Sequence, residues 1–191
     1  MRSEGVNVSI QNPTCIYFAG VSSSCEDFPA MATRIAIGAD HLGAPLKEEI
    51  AALLRERSIE FQDFGAADGQ IVDYPDVAEK VAQSISDGLF ERGILICGTG
   101  IGMAISANKV PGIRAAVVHD PYSAERSRKS NNAQILAMGA LVIGKQLARQ
   151  LVSIWLESEF QGGDSARKVA KIGLIETRHA ARLTQGDCRT R

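Results

Sequence analysis

The sequence predicts an α/β fold in which one parallel sheet is covered by helices on both faces. Apolar strand-like runs alternate with segments of helical periodicity in a βαβαβ order, which imposes right-handed crossovers and a doubly covered sheet. The 191 residues, 45% of them hydrophobic, are enough for one domain with a full core. The 18 glycines against 5% aromatic residues suit tight strand-to-helix turns better than a β-sandwich.

The elements read off in order. Arg34-Ile35-Ala36-Ile37-Gly38 is a buried strand, and residues 44–57 then place Leu46, Ile50, Leu53 and Leu54 at helical spacing. Ile59 to Phe64 alternates as a second strand. Pro75 suits a first helical turn, and Val77, Val81, Ala82 and Ile85 continue it as an apolar stripe. Gly93 to Cys97 is a third, buried strand, followed by a glycine-rich turn and helix over 98–108. Ile113 to Val118 is a fourth strand, with a helix over about 121–130, and Ile135 to Met138 is the fifth. Leu147, Leu151, Ile154 and Trp155 mark a long helix, and residues 165–178 another. This main domain spans 32–180. Residues 1–31 lack sustained periodicity and read as an accessory extension, with Met31 as an alternative start. Residues 181–191 read as a polar, mobile tail.

Charge and composition narrow the function. Lys plus Arg number 21 and Asp plus Glu 22, so the cationic footprint of a nucleic-acid binder is missing. No run of about 18 apolar residues exists, so no membrane span is expected. Residues 1–31 show no ordered secretory signal. Cys15, Cys25, Cys97 and Cys188 form no CxxC pair, and His41, His119 and His179 lie far apart, so a zinc site is not expected. Cys15 and Cys25 would pair only in an oxidising compartment; reduced cysteines in a cytoplasmic protein are the plainer reading.

Ligands of such sheets bind outside the carboxyl ends of the strands. That rule puts Asp40-His41, Cys97 to Gly102 and His119-Asp120 on the functional rim. In Cys97-Gly98-Thr99-Gly100-Ile101-Gly102, glycines two apart present successive backbone N–H groups at a helix N-terminus, a nest for an anion or developing oxyanion. A helix N-terminus favours thiolate over thiol, so Cys97 reads either as base or nucleophile, or as a small buried residue beside a tight turn. Asp40 and His41 read either as groups that touch sugar hydroxyls and move protons, or as a helix cap beside an exposed imidazole. Tyr74 reads as a ligand-facing phenol or as a buried aromatic before a helix. A dinucleotide loop would need a third glycine where Met103 stands.

The stretches Arg34-Ile-Ala-Ile-Gly-Ala-Asp-His-Leu-Gly43, Asp73-Tyr-Pro75, Ile96-Cys-Gly-Thr-Gly-Ile-Gly102, Ala107-Asn-Lys-Val-Pro-Gly-Ile-Arg114 and Phe160-Gln-Gly-Gly163 resemble type B ribose-5-phosphate isomerase, in a family that also holds the galactose-6-phosphate isomerase subunits. The resemblance runs over about 33–178. It implies a Rossmann-like three-layer sandwich with five parallel strands, a homodimer with shared active sites, and metal- and cofactor-free aldose–ketose isomerisation of a small sugar or sugar phosphate through a cis-enediolate, with ribose 5-phosphate to ribulose 5-phosphate as the leading conversion. Cys97 then matches the base and Thr99 the assisting hydroxyl. The N–H groups of Gly98, Thr99, Gly100, Ile101 and Gly102 match the anion hole. Asp40, His41, Tyr74, Asn131 and Lys168 match substrate-binding positions. The resemblance also marks departures. Ser130 stands where the family has a ring-opening histidine, and Leu141, Asp164 and Lys168 stand at three phosphate-binding arginines. The alternatives are a sugar without phosphate or ring, or a sugar-binding homologue without catalysis.

Overall fold

The computed structural model describes residues 34–65 and 71–186, within the unit Met31–Arg191. The accessory reading of residues 1–31 and the pairing of Cys15 with Cys25 lie outside the described residues. In chain order the elements are β1 (Ile35–Ala39), α1 (Ala44–Glu56), β2 (Phe61–Asp63), α2 (Tyr74–Ser86), β3 (Arg92–Cys97) and α3 (Ile101–Ala107). They continue with β4 (Ala115–Val117), α4 (Pro121–Lys129), β5 (Ile135–Gly139), α5 (Lys145–Leu156) and α6 (Gly163–Gly186). The five strands form one sheet in the order β2-β1-β3-β5-β4, and every pairing is parallel.

Side chains alternate between the two faces of the sheet, as strand geometry requires. Ile35, Ile37, Ile94, Ile96, Leu136 and Met138 belong to a core shared with α1 and α5. Ala36, Leu95, Cys97, Ile135 and Ala137 belong to a second core beneath α2 and α3. Both faces are covered, so β1, β3 and β5 read as continuous apolar runs with every residue buried. The edge strands are shorter than the apolar pattern suggests. Ile59 N–H donates to Leu54 O at the end of α1, and Ile113 N–H donates to Val110 O after α3, so the preceding turns claim these donors.

One buried charge ties the sheet to α5. Arg92 opens β3 and is 1% exposed. Its Nη1 donates to the carbonyls of Trp155, Leu156 and Ser158 at 3.2, 3.0 and 3.3 Å. Its Nη2 bonds the Glu159 carboxylate. A single guanidinium thus adds donors to carbonyls at and just beyond the end of α5, where intrahelical partners run out. The last helix is longer than its pattern of 165–178 suggested. It runs to Gly186, through the start of the expected polar tail, and residues 187–191 lie outside the described residues.

The chain leaves β1 toward β2 on one side, and β3 lies on the other, so the order of strands reverses between β1 and β3. The crevice that such a reversal opens at the strands' carboxyl ends is the expected ligand site.

Candidate active site

Two loops border that crevice. The β1–α1 loop carries Asp40 and His41, and the β3–α3 loop carries Cys97 to Gly100. They touch directly, as Asp40 N–H donates to Ile96 O at 3.3 Å. Asp40 is buried, and its Oδ1 accepts the Gly43 N–H at 2.8 Å. Asp40 thus closes the turn ahead of α1 and does not cap the helix, whose N-cap is Gly43 without a side-chain cap bond. His41 is exposed beside it.

Cys97 is the last residue of β3, a free thiol that is 5% exposed. Its Sγ accepts the Gly100 N–H at 3.1 Å, a contact that negative charge on sulfur strengthens. Thr99 is exposed, and its Oγ1 accepts the Ile101 N–H at 3.3 Å. Two of the five N–H groups read as an anion nest are thus turned onto the loop's own thiol and hydroxyl. Two of the loop's glycines have steric reasons that spacing alone does not reveal. Gly100 has φ +78°, and a Cβ there would lie 2.9 Å from the Met138 carbonyl carbon. At Gly102 a Cβ would lie 2.5 Å from the Tyr74 ring, so this glycine lets the phenol lie against α3. Tyr74 itself is 43% exposed, so it is not the buried aromatic of the second reading. Met103 is fully buried in the second core.

A further histidine comes close. Cys97 is paired with Gly139 across β3 and β5. The Gly139 N–H donates to His119 Nε2 at 3.0 Å. That bond occupies Nε2 and leaves the neutral imidazole's proton on Nδ1. Among the described residues no group of three or more His, Cys, Asp and Glu side chains is placed to hold a metal ion.

Asn131 and Lys168 are not brought to Cys97. Asn131 precedes β5, whose amino end starts at Ile135, whereas Cys97 sits beside Gly139 at the carboxyl end. The intervening strand alone rises roughly 13 Å. Lys168 and Asp164 are exposed on α6, whose approach is tied to the end of α4 by Gln161 N–H donating to Lys129 O at 3.2 Å. Leu141, by contrast, lies in the Cys97 site, its N–H donating to Gly98 O at 3.0 Å. The residues matched by resemblance thus fall into two groups at opposite ends of the sheet.

A thiol at a strand end, a hydroxyl beside it and a glycine loop that presents backbone donors form a site for moving a proton next to a carbonyl. The family model for ribose/galactose isomerases matches residues 35–172, and the chain belongs to this family. It is 56% identical over 143 residues to a ribose-5-P isomerase B of Listeria innocua, covering 75% of this chain and 95% of that one. It is 54% identical over 143 residues to a D-erythrulose-4-phosphate isomerase of Pectobacterium atrosepticum, covering 74% and 94%. The solved structure of ribose-5-phosphate isomerase B from Clostridium thermocellum superposes with a TM-score of 0.75 at 52% identity, covering 77% of this chain and 99% of that one. The protein is an aldose–ketose isomerase of sugar phosphates.

Proposed function

We propose that the enzyme interconverts a short, open-chain aldose phosphate and its ketose, of the tetrose 4-phosphate class, and turns over ribose 5-phosphate less well. The observation that carries this reading is Ser130, at the position where the resemblance calls for a ring-opening histidine. Serine is a poor acid or base near neutral pH. A tetrose 4-phosphate has its O4 esterified and forms no furanose ring, so it needs no ring opening. Relatives named D-erythrulose-4-phosphate isomerase, at 54% and 47% identity, support it. Relatives named for ribose 5-phosphate, at 56% and 46%, support that substrate as the second reading.

In this mechanism the Cys97 thiolate takes the proton from the carbon next to the carbonyl. Charge moves to the carbonyl oxygen, giving a cis-enediolate. Backbone N–H groups of residues 98–102 hold that oxygen, and the Gly100 N–H turns from Sγ toward it as the thiolate becomes a thiol. Thr99 Oγ1 assists proton exchange between the two oxygens. Cys97 then returns its proton to the neighbouring carbon. Asp40, His41 and Tyr74 bind the hydroxyls.

A second copy of the chain completes the pocket in this proposal. Asn131 and Lys168 lie at the end of the sheet remote from their own Cys97, and α6 exposes Ile172, Leu174 and Ile175. No helix among the described residues is long and apolar enough to cross a membrane. A base that must stay a free thiol supports a reducing, cytoplasmic setting. The test compares kcat/KM for D-erythrose 4-phosphate and D-erythrulose 4-phosphate with that for ribose 5-phosphate. The tetrose pair is expected to be favoured at least tenfold. A ribose 5-phosphate value above about 10⁴ M⁻¹s⁻¹ that also exceeds both tetrose values overturns the proposal.

A further inference from the structure

The side chain of His119 takes over where β4 stops. Val118 N–H donates to Ala137 O at 2.9 Å, a backbone bond of the β4–β5 ladder. In a continued parallel ladder the Gly139 N–H would next meet the Val118 carbonyl. It meets His119 Nε2 instead, at 3.0 Å. Gly139 is buried, so an imidazole lone pair satisfies a backbone donor that solvent does not reach.

Gly139 in turn opens a turn that holds the thiol loop residue by residue. A Cβ at Gly139 would lie 2.8 Å from the Thr99 Cα, so the two backbones are in contact. Ala140 N–H donates to Cys97 O at 2.8 Å, and Leu141 N–H to Gly98 O at 3.0 Å. The N–H groups of Val142 and Ile143 donate to Gly139 O at 3.0 and 3.1 Å and close the turn on itself. Residues 139–141 therefore set the path of residues 97–99, and His119 sets the place of Gly139. What this arrangement asks of position 119 is an acceptor at Nε2. It asks for no proton to be given or taken there.

We infer that His119 is a positioning residue: its Nε2 braces the turn at 139–141 and so holds the backbone of Cys97, Gly98 and Thr99 in place for proton transfer. The inference rests on the proposed role of Cys97 for the chemistry it serves.

The test uses the full-length protein and three variants. His119→Gln keeps an acceptor, its Oε1, near the Nε2 position; His119→Leu and His119→Phe keep none. Values of kcat and KM are measured on D-erythrose 4-phosphate and on ribose 5-phosphate. His119→Gln is expected to keep kcat within threefold of wild type. His119→Leu and His119→Phe are expected to lose at least tenfold in kcat on both substrates, with KM within threefold. Exchange of the Gly139 amide with solvent, followed by NMR, is expected to quicken at least tenfold in the two apolar variants and to stay within threefold in His119→Gln. A loss in His119→Gln as large as in the apolar variants means that the imidazole itself transfers a proton, and overturns the brace. A folded apolar variant with kcat within twofold of wild type overturns it as well. Should the apolar variants fail to fold, His119→Gln alone separates a brace, which it preserves, from proton transfer, which it abolishes. If Cys97→Ala keeps its turnover, the reading of Cys97 as base falls, and the kcat and exchange comparisons still decide the brace.

Discussion

At the scale of single residues, the site depends on what each side chain does with its polar atoms. Cys97 Sγ lies beside the glycine loop and accepts the Gly100 N–H, and the proposed mechanism makes it the base. Cys97→Ala is expected to lower kcat by at least about 10³-fold, within the range that general-base catalysis supplies, while leaving Tm near wild type. Loss of exchange of the substrate's C2 proton with solvent deuterium, followed by NMR, would accompany it. Turnover within tenfold of wild type would remove Cys97 from the role of base. Asp120 gives a residue-scale pH effect. Its Oδ1 accepts the Ser123 N–H at 2.8 Å and caps α4, and hydrogen bonds from Ser123 hold its carboxyl below the usual carboxylate range. A carboxyl lowered in the folded state contributes stability above its unfolded value near 4 and loses it as pH falls through the depressed folded value. Asp120→Ala should therefore lower Tm at pH 7, and the gap to wild type should close as the pH drops below about 4.

At the scale of elements, the β3–α3 turn and the start of β3 are fixed by different forces. The turn is steric: Gly100 adopts a left-handed conformation against Met138, and Gly102 yields space to Tyr74. The start is electrostatic. Arg92 is buried and serves three carbonyls at the end of α5 together with the Glu159 carboxylate. Arg92→Ala takes the guanidinium donor from the Leu156 and Ser158 carbonyls and opens a cavity next to Trp155. We expect a loss of about 3–5 kcal/mol, from the carbonyls that lose a donor and the cavity left behind, measured by urea unfolding. A loss under about 1 kcal/mol would mean that water replaces the guanidinium there.

At the scale of the whole molecule, the separation of the two residue groups argues for assembly. Ser130, Asn131 and the head of α6 are remote from Cys97 in the same chain, so a shared pocket needs a second copy. We expect sedimentation to show a dimer at assay concentrations. Mixing Cys97→Ala with an Asn131→Ala variant should restore part of the activity that each lacks, through hybrid dimers with one intact pocket. A fully active monomer would refute the shared pocket.

Much of this was legible in the chain itself. Alternation and helical periodicity placed all five strands and six helices, because a sheet buried on both faces needs uninterrupted apolar runs. Asp40, Cys97 and Thr99 stood out because strand ends followed by glycine turns are where such sheets bind ligands. Edge-strand lengths were not legible, since Ile59 and Ile113 spend their N–H groups in turns. Nor were the roles of Arg92 and His119, whose partners lie 63 to 67 and 20 residues away. The sequence by itself determined the sheet, its two cores and the thiol loop, all of which follow from local pattern. Only the tertiary structure decided that His119 Nε2 is occupied and that Asn131 is far from Cys97. Those facts depend on which strand ends the crossovers bring side by side, and no local pattern encodes that.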